Sequence, residues 1–246
     1  MQLFLVPLEL NYTDISDGYL FMRTWSNQYV ELVKSLPDLI ITGQTDKTLP
    51  AEKQAILNQK ISQFSKVVCE LGSGSGGHLV ALAQRDPDTL HIGFELRFKR
   101  VFKSAEKATQ LGLNNVAMMQ FDANLIESLF APNSLHAIYI NFPDPWSKRR
   151  WHKHRIIKPE FLERAARLLS KEGFIAYKSD HREYFELSEK MFRADPNYSI
   201  TEFSQDLHSS PFVNNNLLTE FERLFLSKGL PIYYLKAALK HKELPS

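Results

Sequence analysis

Apolar and polar positions along this chain fall into a regular alternation only after Lys66. Upstream, Asp17 to Leu36 and Ala51 to Phe64 mix polar and apolar residues at spacings compatible with helices, with a stretch containing Pro, Gly and Thr between them. We read residues 1–63 as an N-terminal extension packed on a main domain of residues 64–246. From Lys66 a repeat sets in. KVVCEL, residues 66–71, is a short apolar run that ends in GSGSGG, and a helical pattern follows from Gly77 to Arg85. Thr89 to Glu95 reads as a strand, Arg97 to Leu111 as an amphipathic helix stopped at Gly112, and Val116 to Phe121 as a strand. The rhythm continues with a strand over Leu135 to Phe142, a helix over Pro159 to Ser170 with proline at its start, and a strand over Gly173 to Ser179. Arg182 to Arg193 follows as a helix, and apolar stretches near Tyr198 and from Ile232 to Leu239 supply the last strands. This alternation predicts an α/β fold: a doubly wound, mostly parallel sheet with helices on both faces.

Composition adds limits rather than direction. The 246 residues suit one large α/β domain with a modest extension, and 43% hydrophobic with 24% charged residues is ordinary for a globular chain. Cys69, the single cysteine, lies inside a strand pattern and reads as a core residue. The apolar start, Met1 to Leu8, is ended by Glu9 and lacks a basic leader, and no apolar run approaches the length of a membrane span. A cytoplasmic protein is therefore expected, with no membrane partner and no metal site. A net charge of +2 is uninformative, but its distribution is not: Lys148 to Lys158 holds six Lys or Arg, two His and one Trp, with no acid.

Candidate chemistry gathers at the predicted carboxyl ends of the strands, where open α/β sheets bind ligands. Gly72, Gly74 and Gly76 sit between a strand and a helix, a place for a nucleotide-like cofactor. Because Gly72, Gly74 and Gly77 also fit a dinucleotide fingerprint, the loop alone leaves NAD and S-adenosylmethionine open. Glu95 is placed to accept hydrogen bonds from ribose hydroxyls, which either cofactor carries. Glu70 opposes a pyrophosphate but suits the ammonium and sulfonium of S-adenosylmethionine, and Asp122 can take the exocyclic amine of adenine. After the fourth strand comes NFPDPW, residues 141–146, in which Pro143 and Pro145 stiffen the presentation of Asp144. The basic run behind it interleaves cations with Trp151, a combination suited to unpaired nucleotides, although a solvated positive face has the same composition.

These motifs resemble the tRNA (guanine-N7)-methyltransferase family of class I S-adenosylmethionine-dependent enzymes, with a Rossmann-like fold. The similarity runs from about Lys66 to Leu230 through ELGSGSG, the strand-end Glu95, the Phe121–Asp122 pair, NFPDPW with its basic run, Ser179–Asp180 and the T-x-F-E element Thr219 to Glu222. The resemblance implies methyl transfer to N7 of a guanine in the variable loop of tRNA. It implies that Glu70, the glycine loop, Glu95 and Asp122 bind the cofactor, and that Asp144 is catalytic and close to both ligands. It also implies that Lys148, Asp180, Thr219, Glu220, Phe221 and Glu222 contact the substrate. From the charge run, Arg149, Arg150, Lys153 and Arg155 are further RNA contact candidates. The chain departs from the family in having few basic residues before residue 60 and in Trp151 and His154 interrupting the basic run. Oligomeric state, monomer or homodimer, is left open.

Overall fold

The computed structural model describes residues 27–43 and 48–240. Among these residues eight strands form one sheet: β1 (Ile40–Thr42), β2 (Lys66–Leu71), β3 (Thr89–Phe94), β4 (Val116–Gln120), β5 (Leu135–Asn141), β6 (Leu169–Ser179), β7 (Tyr198–Ser204) and β8 (Tyr233–Leu239). Their order is β1-β4-β3-β2-β5-β6-β8-β7, and only β8 runs against its neighbours. Seven α-helices accompany them among the described residues: α1 (Gln28–Leu32), α2 (Ala51–Ile61), α3 (Gly77–Arg85), α4 (Phe98–Gln110), α5 (Pro159–Leu168), α6 (Arg182–Ala194) and α7 (Glu220–Leu226). The central strands are apolar throughout because both faces are covered. One core layer packs Leu57 of α2, Phe161 and Leu162 of α5 and Phe185 and Phe192 of α6 on the sheet, and the other packs Leu79 of α3 with Val101 and Ala105 of α4. Cys69 is buried in the first layer, where desolvation raises its thiol pKa far above the ordinary range, consistent with a core residue.

The sheet reverses its winding between β2, which leads outward to β3 and β4, and β5, which leads outward to β6. That reversal opens a crevice at the carboxyl ends of β2 to β5.

The repeat after Lys66 is realised nearly to the residue, with β6 starting four residues early, at Leu169, as an irregular lead-in opposite Leu135. Upstream the picture is richer than an extension lying on a finished domain. Ile40–Thr42 pairs in parallel with β4 and forms the sheet edge, and Ile41 and Leu57 enter the main core. Three residues are too few to show strand periodicity, so the sequence gives no sign of β1. The first part of the helix expected over Asp17 to Leu36 lies outside the described residues; the described part is α1 followed by a tighter 3-10 turn, Val33–Ser35. No described helix is long and apolar enough to cross a membrane.

Candidate active site

The crevice is a cleft of about 470 Å³ whose walls include Gly72, Glu95, Asp122, Asp144, Trp146 and Phe221. It adjoins a small cavity of about 40 Å³ under the glycine loop, lined by Glu70, Ser73, His78, Thr219 and Glu220, with Gly72, Asn141, Phe142 and Phe221 common to both. Glu70, the last residue but one of β2, has 3% exposure. Its Oε1 accepts a hydrogen bond from Asn141 Nδ2 at 2.9 Å and lies 3.3 Å from His78 Nδ1, while Oε2 is buried without a partner. A buried carboxylate oxygen left unsatisfied costs free energy until a donor reaches it, which fits an ammonium bound in the small cavity. Glu95 uses Oε1 to accept the Arg97 amide at 2.9 Å, and Oε2 has only the long 3.7 Å approach of Arg100 Nη1. Asp122 both lines the cleft and caps a 3-10 turn, Ala123–Ser128, accepting the Asn124 amide at 3.0 Å.

The three glycines divide by role. Gly72 and Gly74 have positive φ with open space where a Cβ would stand, so a ligand can approach the bare backbone there. Gly76 is different: a Cβ at that position would meet Ser104 Oγ of α4 at 1.8 Å. It lets α3 pack on α4, so its part in the site is indirect, through the loop it closes.

NFPDPW leaves β5 as a strained loop. Phe142 at φ +50° and Trp146 at φ +44° occupy the left-handed region, which costs about 1–3 kcal/mol at a residue with a side chain. Surrounding contacts hold them there. The Phe142 amide donates to Lys178 O at 2.9 Å, and its ring lies 5.5 Å from Phe225 of α7. Trp146 packs at 5.2 Å on His154 and 6.1 Å on Trp151. Asp144 is thereby carried, exposed, on the rim of the cleft. Lys148, Arg149, Arg150 and Lys153 form an exposed face on and beside a 3-10 helix, Arg149–His154, with Lys148 Nζ 5.0 Å and the Arg150 guanidinium 5.1 Å from the Trp151 ring.

A family model described as a putative methyltransferase matches residues 65–235. The tRNA (guanine-N(7)-)-methyltransferase of Lachnoclostridium phytofermentans is 33% identical over 194 residues, covering 79% of this chain and 90% of that protein. The same-named protein of Listeria monocytogenes is 38% identical over 168 residues, covering 68% and 78%. The chain belongs to the tRNA (guanine-N(7)-)-methyltransferase family. A bifunctional glycosyltransferase/methyltransferase of Fusobacterium nucleatum is 33% identical over 82% of this chain, which spans only 31% of that longer protein. Among solved structures, the 16S rRNA methyltransferase KamB aligns with TM-score 0.58 at 17% identity, covering 76% of this chain and 94% of its own. An antibiotic-related methyltransferase aligns with TM-score 0.55 at 21% identity over the same shares. These establish the Rossmann-like class I methyltransferase fold.

Within this methyltransferase two expected contacts turn inward. Arg155, expected at a phosphate, has 3% exposure and donates from Nε to Pro145 O at 2.7 Å beneath the NFPDPW loop. It is removed from the surface that Lys148 to Lys153 present. Glu222, expected to touch substrate, is fully buried. It completes a capping box in which Thr219 Oγ1 accepts the Glu222 amide at 2.9 Å, and its carboxylate meets Lys178 Nζ at 2.9 Å and His208 Nε2 at 2.7 Å. Burial pushes the Glu222 pKa up, but the Lys178 ammonium with Asn216 and His208 outweighs it and holds the carboxyl below its ordinary range. Burial likewise lowers the Lys178 pKa against the pull of Glu222. With three acceptors around its ammonium, in Asn216, Leu217 O and Glu222, the charged pair is the state we assign. Glu220, ion-paired to Lys107 at 2.7 Å, and Phe221, 46% exposed, do face the small cavity. Asp180 is half-buried at the end of β6 and lines neither cavity. His78, Asn141 and Lys178 were not singled out from the sequence; only Asn141, inside NFPDPW, lay in a motif that marked it.

Proposed function

We propose that this chain transfers the methyl group of S-adenosylmethionine to N7 of a guanine in the variable loop of tRNA, giving 7-methylguanosine and S-adenosylhomocysteine, in the cytoplasm. The observation that carries this reading is that Asp144, on a braced loop, shares one cleft with Gly72, Glu95 and Asp122 and lies next to the exposed cations Lys148 to Lys153. The cofactor, when bound, supplies a methyl group made electrophilic by a sulfonium. Glu70 would receive its ammonium on the unpartnered Oε2, Glu95 its ribose hydroxyls and Asp122 the adenine edge, with the backbone at Gly72 close alongside. A pyrophosphate cofactor would be opposed by Glu70.

Guanine N7 carries its lone pair in the ring plane and loses no proton, so no general base is needed at the attacking atom. The task of the protein is to align the base and to offset the positive charge that grows on it, and Asp144 does the latter from the cleft rim. Lys148, Arg149, Arg150 and Lys153 hold RNA phosphates; Phe221, on the wall of both cavities, and Glu220 contact the substrate, Asp180 meets the tRNA outside the cleft, and Thr219 and Glu222 act through the helix they cap. The test is mass analysis of nucleosides from tRNA incubated with the protein and S-adenosylmethionine. Gain of 7-methylguanosine supports the reading; methyl incorporation at another base atom, or none, contradicts it.

A further inference from the structure

The buried Arg155 is chemically odd. Its guanidinium makes one hydrogen bond, Nε to Pro145 O at 2.7 Å, and lies 4.6 Å from the Tyr184 ring centroid, while Nη1 and Nη2 are buried without partners. No carboxylate within ion-pair distance neutralises it among the described residues. A buried cation with most donors unused is destabilising, and an apolar side chain of the same volume would serve the core better. The position therefore gains something that only this group supplies.

The loop above it shows what that is. Pro143 and Pro145 have no amide hydrogen, so between Phe142 and Trp146 only Asp144 retains a backbone donor, and the segment cannot fasten itself by its own amides. Phe142 and Trp146 at its ends sit in the left-handed region. A side-chain donor from below must therefore fix the height of the turn, and Arg155 reaches the carbonyl directly after Asp144. The guanidinium is in turn seated on Tyr184, a fully buried residue in the first turn of α6 whose hydroxyl accepts the Ile157 amide at 3.1 Å. We propose that Arg155 is a positioning residue for methyl transfer: seated on Tyr184, it clamps Pro145 and so sets where Asp144 stands. This rests on Asp144 acting in the chemical step. The guanidinium suits this place because its planar, delocalised group can rest on the ring while its fixed Nε–H is aimed at the carbonyl, an orientation that a lysine ammonium on a flexible stem does not fix.

A double-mutant cycle tests it on the full chain, with R155M, R155K, D144N and the paired variants assayed in single turnover at saturating tRNA and S-adenosylmethionine. R155M is expected to slow methylation by about 30-fold and R155K by about fivefold or more. The dependence of tRNA affinity on salt and the affinity for S-adenosylhomocysteine should stay as in the wild type, and R155M/D144N should be no slower than D144N alone. A shallower salt dependence in R155M would make Arg155 a phosphate contact and overturn the proposal, as would R155K at the wild-type rate. Additive losses in the pair, with D144N itself impaired, would overturn it while leaving Asp144 in place. D144N at the wild-type rate would sink the catalytic reading first and this inference with it. Should R155M melt below the assay temperature, the cycle with R155K decides by the same criteria.

Discussion

Glu95 illustrates how a single side chain divides its attention in this site. One oxygen is held by the Arg97 amide at 2.9 Å, which fixes the carboxylate, and the other faces the cleft with only a distant arginine. If that oxygen takes a ribose hydroxyl, Glu95→Ala should weaken S-adenosylhomocysteine binding by about 1–3 kcal/mol in calorimetry, the range for a hydrogen bond to a charged group. Unchanged affinity in a folded variant would remove the role. Glu70, Glu95 and Asp122 were legible in the sequence because the ends of consecutive apolar runs bring acids to one sheet edge whatever the packing in between. Arg155 was not. In a run of six Lys or Arg, nothing in composition marks the one that turns inward; the apolar pair Ile156 and Ile157 directly after it is the nearest signal, since it draws that end of the run into the core. His78 was equally hidden, its place beside Glu70 being set by the first turn of α3 meeting the end of β2.

Among the elements, α3 and α7 both line the small cavity with their first turns and depend on different end chemistry. Gly76 begins α3 in a left-handed conformation with Ser104 where a methyl would go. Gly76→Ala should destabilise the fold by at least about 1–3 kcal/mol in urea denaturation, and a variant as stable as the wild type would show that α3 and α4 separate at no cost. The α7 start is secured by the Thr219–Glu222 capping box and by the buried Lys178 pair. Because the folded state holds the Glu222 carboxyl below its unfolded value, its stabilising contribution is complete above about pH 4.3 and fades as pH falls through the lower folded pKa. Wild type should therefore exceed Glu222→Gln in stability at neutral pH and converge towards it on acidification; a gap that stays constant down to acid unfolding would contradict an ionised Glu222. The helix itself escaped notice because seven residues hold too few turns for a periodic pattern, yet Thr219-x-x-Glu222 is the spacing of a capping box and marks the start of α7.

Across the whole molecule, the doubly wound, mostly parallel architecture was readable from the strand and helix alternation, while the sheet edge was not, because β1 is three residues drawn from a segment without rhythm. The same architecture sets the exposed cations directly after the loop that carries Asp144 on the cleft rim. Neutralising Lys148, Arg149, Arg150 or Lys153 should each reduce the slope of log affinity for tRNA against log salt by about 0.7–0.9 at most, and an unchanged slope in the fourfold variant would make the cluster a solvated face. The central claim is that the fold sets the Asp144 carboxylate where positive charge develops on the methylated guanine, and it is tested most directly by the rate of 7-methylguanosine formation in a single turnover at saturating tRNA and S-adenosylmethionine. Asp144→Asn, which keeps the shape of the side chain and removes its charge, should lower that rate by about 100-fold or more while leaving cofactor affinity nearly unchanged. A folded Asp144→Asn variant that forms 7-methylguanosine at the wild-type rate would contradict the account.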